Sequence, residues 1–229
     1  MDDNMEESFV LIEFEQEIVL VRVINNTFVP SKIKLSAEVI PVHDLQEEEF
    51  DASITKMRFW LEAVVSRCIA FSRDNTNAIK MLIDAEGRNN SDNMLLLTPL
   101  EPTDQHLAAL FQAKLTALCG GDIIIGSVEM RSNNMAGLVF RFIGEAEDIL
   151  PTMGEWIGTH TFFDEPWWMR DDASTLDVTP ALDADLTKKP DWAYSLDFLS
   201  KTCNTAKDVI VRPEFQPTVI EGGKKDDDE

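Results

Sequence analysis

Two runs near the start of the chain alternate. Val10, Ile12 and Phe14 are interleaved with Leu11, Glu13 and Glu15, and the run from Ile33 to Val42 alternates with Lys32, Lys34, Ser36 and Glu38. A period of two belongs to a strand with one face in a core and the other in water; a helix repeats every 3.6 residues. Between these runs, Ile18 to Ile24 is apolar on both faces except at Arg22 and is rich in β-branched residues, as in a strand covered on both sides. Asn25-Asn26 marks a turn. The chain thus commits to a sheet before it offers a helix, and Glu47-Glu48-Glu49 reads as a solvated connection leading out of it.

Helical spacing follows. Met57, Leu61, Val64, Val65 and Cys68 form one stripe, with Asp51 or Ser53 as its cap. Residues 78–84 fit strand or helix, Gly87 to Asn93 is a polar turn, and Met94 to Leu97 has the length of a short strand. A clearer helix opens at Pro102-Thr103-Asp104, presents Leu107, Leu110, Phe111, Leu115 and Leu118, and stops at Gly120-Gly121. Ile123 to Met130 and Leu138 to Ile143 then read as a hairpin joined through Ser132-Asn133-Asn134. Helix–strand–strand occurs twice in this order, and Arg88-Asn89-Asn90-Ser91 before Met94 echoes Arg131-Ser132-Asn133-Asn134 before Leu138. The fold class expected is α+β: an antiparallel or mixed sheet with two main helices, which a duplicated helix–strand–strand unit would build, and an irregular C-terminal arm.

Charge divides the chain. Of its 229 residues, 42 are acids and 20 are bases, for a net charge of -22. Residues 1–50 hold 12 acids and 3 bases, residues 51–140 hold 10 and 8, and residues 141–229 hold 20 and 9. Self-repulsion disfavours compaction at the two ends, so the balanced middle is expected to carry most of the core. The division expected is an N-terminal β segment (1–50), an α+β core (51–144) and an acidic, Pro- and Trp-rich extended arm with its tail (145–229). Four of the five tryptophans, Trp156, Trp167, Trp168 and Trp192, and six of the ten prolines lie beyond residue 150. Proline at that density forbids long helices, while the ring content is too high for a disordered tail. Residues 221–229 read as a solvated tail.

Chemistry is sparse in this pattern. No Gly-rich loop matches a phosphate or dinucleotide fingerprint. His43, His106 and His160 stand at no ligand spacing to one another or to a cysteine, and His106 falls in the first turn of its helix. Cys68 and Cys119 sit where a cysteine serves as a small apolar residue, and three widely spaced cysteines with Cys203 fit free thiols in a reducing compartment. Ser127 lacks the G-x-S-x-G elbow. Asp171, Asp172, Asp177, Asp183 and Asp185 are dense but lack the spacing of a calcium loop and read as solvated surface. We expect no enzyme activity, no cofactor and no metal. The net charge excludes binding to nucleic acid through counterion release, no apolar run is long enough to span a membrane, and the acidic N-terminus does not fit a signal peptide.

Two features suggest contact. Glu13, Glu15 and Glu17 project from one face of a regular strand about 6.6–6.8 Å apart, a row that imitates a phosphate backbone or simply faces water. Trp156, Phe162, Phe163, Trp167, Trp168 and Trp192 can anchor the arm in a neighbour's pockets or pack on the chain's own core. The function expected is that of a cytoplasmic structural subunit of a larger assembly, such as a viral (phage) particle. It would contact protein partners with a basic surface or further copies of itself. The alternative is a soluble nucleic-acid mimic that occupies the basic groove of a DNA- or RNA-binding protein.

Overall fold

The computed structural model describes residues 11–42, 45–77, 80, 95–157, 162–177 and 188–200. The expectations for His43, His160, Cys203, Asp183 and Asp185, for Gly87–Asn93 and for the tail lie outside them, as does most of 78–84. Strand β1 (Ile12–Ile24) and strand β2 (Thr27–Pro41) are 13 and 15 residues long and pair antiparallel from Ile12↔Val39 to Ile24↔Thr27. They are joined by Asn25 and Asn26 at φ 49° and 59°. Two consecutive left-handed residues make the hairpin turn whose twist matches the strands, and asparagine tolerates that conformation best after glycine.

Four shorter strands complete a six-stranded mixed sheet in the order β4-β3-β1-β2-β5-β6. They are β3 (Ile69–Ser72), β4 (Leu95–Thr98), β5 (Ile123–Ser132) and β6 (Phe140–Ile143). β3 runs parallel to β1 and to β4, whereas β5 runs antiparallel to β2 and β6. The α+β class is as expected. The duplication is not: a parallel β3–β4 pair and an antiparallel β5–β6 hairpin are not two copies of one unit.

One sheet face is apolar. Phe14, Ile18 and Leu20 from β1 and Ile33, Leu35, Ala37 and Val39 from β2 are buried beneath two helices. Helix α1 (Glu47–Phe59) continues without a break through a π-helical turn at Trp60–Val64 and a 3-10 turn at Val65–Arg67. Met57, Leu61 and Val65 point inward as the stripe requires, together with Trp60. Glu47, Glu48 and Glu49 are the first turn of this helix, which corrects their reading as a connection. Three carboxylates suit the positive end of the helix dipole, and the Glu49 carboxylate accepts the Gln46 N–H at 3.1 Å. Helix α2 (Asp104–Leu118) runs as its sequence indicates, from the Thr103 cap to Gly120 and Gly121, both at positive φ.

The described residues beyond β6 pack on the core instead of extending as an arm. They form a 3-10 turn at Ala146–Asp148, a short helix α3 (Met153–Trp156) and a 3-10 turn at Trp167–Met169. Trp167 is 0% exposed, and Trp156, Phe163, Trp168 and Trp192 are buried in the same cluster as the sheet. The core therefore runs through all three segments of the charge pattern. Removing five large rings from water is a strongly favourable contribution that self-repulsion among the acids opposes. No helix among the described residues is long and apolar enough to cross a membrane.

Candidate functional site

Lys114 sits one turn beyond Leu110 and Phe111, on the face α2 turns to the core, and is fully buried. Its ammonium donates to the carbonyl oxygens of Trp167 at 2.9 Å, Arg170 at 2.7 Å and Asp172 at 2.7 Å. An ammonium has three protons to give, and here each finds an acceptor. Nζ lies 3.7 Å from the Asp172 carboxylate and 5.8 Å from the centre of the Trp60 ring. Burial pulls its pKa down to about 7, with Asp172 pulling the other way.

A second hub sits beside it. Arg170 lies 3.6 Å above the Phe163 ring, donates from Nε to Asp172 at 3.2 Å, and pairs through Nη1 with Asp177. The other Asp177 oxygen accepts Trp156 Nε1–H at 2.7 Å and the Trp167 N–H at 3.0 Å. Burial alone would raise the Asp172 carboxyl; Lys114, Arg170 and two bonds from Ser174 outweigh it and hold the group below its usual range. From this hub the rings of Trp156, Trp168, Trp167, Trp60 and Phe111 follow one another at centroid spacings of 5.3 to 6.2 Å.

The hub closes one edge of the sheet. Leu97 N–H donates to Thr175 O at 2.9 Å, Thr175 Oγ1 donates to Leu95 O at 2.5 Å, and Trp167 Nε1 donates to Leu97 O at 2.9 Å. At the opposite edge, β6 has no pairing on its outer side among the described residues. Ile143 at its end is 69% exposed, and Leu138 and Val139 are exposed just before it.

The solvent face of the sheet is a lattice of charges. Glu13, Glu15 and Glu17 share that face and are exposed, as the alternation requires. Lys34 pairs with Glu15 at 2.5 Å, Lys32 with Glu17 at 2.9 Å, and Ser36 Oγ donates to Glu13 at 2.5 Å. Farther along, Arg131 and Arg141 both bind Glu129. Hydrogen bonding from Arg131 leads in holding the Glu129 carboxyl below its usual range.

Behind α2 lies a cavity of about 220 Å³, walled by Leu150, Pro151, Met153, Pro166 and Trp168, with Asp164 and Glu165 at its lining. It shares Ala113, Ala146 and Met169 with an open groove of about 560 Å³ along Gln112, Thr116 and Ala117.

Of the residues singled out in the sequence, Trp156, Phe163, Trp167, Trp168 and Trp192 are brought together, but inside the chain's own core. Their reading as anchors in a neighbour is corrected for that reason. Phe162 alone of that set is exposed, at 43%. Asp172 and Asp177, read as solvated surface, are buried ion-pair partners. Sequence reasoning passed over Lys114, whose signal was a cation on the apolar stripe of α2. Arg22, the one polar residue of its run, is buried and paired with Asp104, whose other oxygen accepts Ser132 Oγ–H at 2.6 Å. Burial pushes the thiols of Cys68 and Cys119 up to about 12, so neither is a thiolate at neutral pH. No group of three His, Cys, Asp or Glu side chains among the described residues is placed to hold a metal ion.

No protein-family model and no curated protein matches this chain. Among solved structures, two catalytic-residue mutants of Plasmodium vivax 6-pyruvoyltetrahydropterin synthase align with it at a TM-score of 0.35 and 5% identity, over 61% of this chain and 99% of theirs. Likeness this slight bears on neither the fold nor the chemistry described above.

Proposed function

We propose that this chain is a non-enzymatic subunit of a larger assembly, such as a viral particle, and that it works by contact in a reducing, cytoplasmic setting. The observation that carries the reading is the contrast between the two edges of the sheet. β4 is sealed by Thr175 and Trp167, whereas β6 has no strand partner on its outer side among the described residues and lies beside the exposed Leu138, Val139 and Ile143. An open edge is a template for another strand, and chains that stay single usually block it. The neighbour we assign to it is a second copy, β6 against β6 about a two-fold axis. Glu129 with Arg131 and Arg141 balances charge at this edge, so two copies of a chain with a net charge of -22 can meet there. The cytoplasmic setting draws on Cys68 and Cys119, which are buried and unpaired.

The nucleic-acid mimic gains no such support. Lys32, Lys34 and Ser36 already occupy the carboxylate row that would have imitated phosphates. Light scattering after size exclusion tests the proposal. The chain should associate with rising concentration, and Ile143→Lys should abolish association while shifting stability by no more than about 0.5 kcal/mol, as exposed substitutions do. A wild-type chain that stays monomeric at every concentration would sink the proposal.

A further inference from the structure

The cavity behind α2 combines an apolar wall with two neighbouring acids, Asp164 and Glu165, in its lining. Its walls, Leu150, Pro151, Met153, Pro166 and Trp168, present almost nothing to hydrogen-bond; the Thr152 hydroxyl nearby already donates to Glu155 at 2.9 Å. Whatever enters must be apolar. Its size, about 220 Å³, suits one large side chain, since cavities near ~150 Å³ already take up a benzene ring. The Glu165 carbonyl oxygen accepts from Arg170 Nη1 at 2.6 Å, but the carboxylates of Asp164 and Glu165 form no ion pair among the described residues, in contrast to Asp172, Asp177, Glu15, Glu17 and Glu129, which all do. The mouth thus asks for a cation beside the apolar group. The groove that opens from it along Ala113, Thr116 and Ala117 adds room for an extended backbone and carries a further acid, Glu145.

We infer that this cavity is the anchor site for an extended segment of a protein partner in which a Leu, Met or Phe side chain is flanked by Lys or Arg. The apolar side chain fills the space against Trp168, and the flanking cations face Asp164 and Glu165. Apolar burial supplies most of the affinity, while the rim charges mainly speed the encounter and select against acidic segments.

A fluorescein-labelled nonapeptide with a central Leu and two Arg on each side tests this by anisotropy on the full chain. The Ile143→Lys variant serves as a second host, so failure at the β6 edge and failure here are told apart. Replacing the peptide's Leu by Ser should weaken binding roughly tenfold or more. The double variant Asp164→Asn, Glu165→Gln should slow association at low salt and differ little from wild type at high salt. Ala113→Leu, which fills the junction of cavity and groove, should block binding. Equal affinity for the Leu and Ser peptides would overturn the inference, because net charge alone would then explain the attraction. So would uptake of a small ammonium amphiphile, such as dodecyltrimethylammonium, with none of the peptide. The peptide comparison leaves the protein untouched and stands even where Ala113→Leu does not fold.

Discussion

Lys114 shows how a single residue couples the two halves of the molecule. Lys114→Met would leave three buried carbonyl oxygens without their donor and Asp172 with Arg170 as its one remaining counter-charge, so urea denaturation should register a loss of roughly 3–5 kcal/mol. The same residue sets a pH dependence. Its pKa falls from an ordinary 10.5 to about 7 on folding, so across that window the unfolded chain holds the proton that the folded chain gives up. Stability owed to this group is therefore lowest below about pH 7 and rises as pH climbs toward 10.5. Unfolding free energies of wild type and Lys114→Met, compared across that range, should diverge as pH rises; a constant difference would mean that the proton is held equally in both states. Asp177→Asn offers an independent check on the neighbouring hub. It keeps an acceptor for Trp156 but halves the charge facing Arg170, with an expected cost of about 3 kcal/mol by urea denaturation. Adding Arg170→Met should return part of that loss, as coupled neighbours do.

The strands and helices were legible where one period ran undisturbed. The alternation of Glu13, Glu15 and Glu17 with Phe14 and Ile18 placed β1, and the stripe from Leu107 to Leu118 placed α2 between its cap and its glycines. β5 hid its own pattern: Ile123 and Ile125 are buried, then Val128 and Met130, so the phase flips midway. The cause is a bulge, with Ser127 opposite Glu38 and Ile125 opposite Val39, which leaves Gly126 as the extra residue. A side chain at Gly126 would put its Cβ 3.2 Å from Ile40 Cδ1. Gly126→Ala should cost about 1 kcal/mol, a fall in melting temperature of ~2–4 °C by calorimetry. The start of α1 was missed because three consecutive glutamates look the same in a loop and in a first turn; only Gln46 and the stripe far downstream separate the two. The candidate site was the least legible part. Asp172 and Asp177 are buried as ion-pair partners only because the loop folds Arg170 back onto them and Lys114 arrives from a helix 58 residues before Asp172, and the cavity is walled by segments that carry no period at all.

At the scale of the molecule, charge and burial disagree, and burial prevails. The nearly neutral middle looks self-sufficient in sequence, yet a chain ending at Gly144 would lose Trp156, Trp167 and Trp168, the acceptors of Lys114 and the cover of β4. We expect that fragment to bind a hydrophobic dye and to melt without a sigmoidal transition, followed by circular dichroism in urea; a sharp transition like that of the full chain would restore the separable arm. The closing of β4 also has a meaning in time. The β4 carbonyls wait on Trp167 and Thr175, 70 and 80 residues further along the chain. At a synthesis rate of roughly 5–20 residues per second, that gap lasts on the order of 4–16 s. During it, a nascent chain on the ribosome carries the β4 edge and the face of Trp60 open to whatever is near. A holding chaperone has that interval in which to act, and a crowded polysome has the same interval in which neighbouring chains can join by the wrong edge.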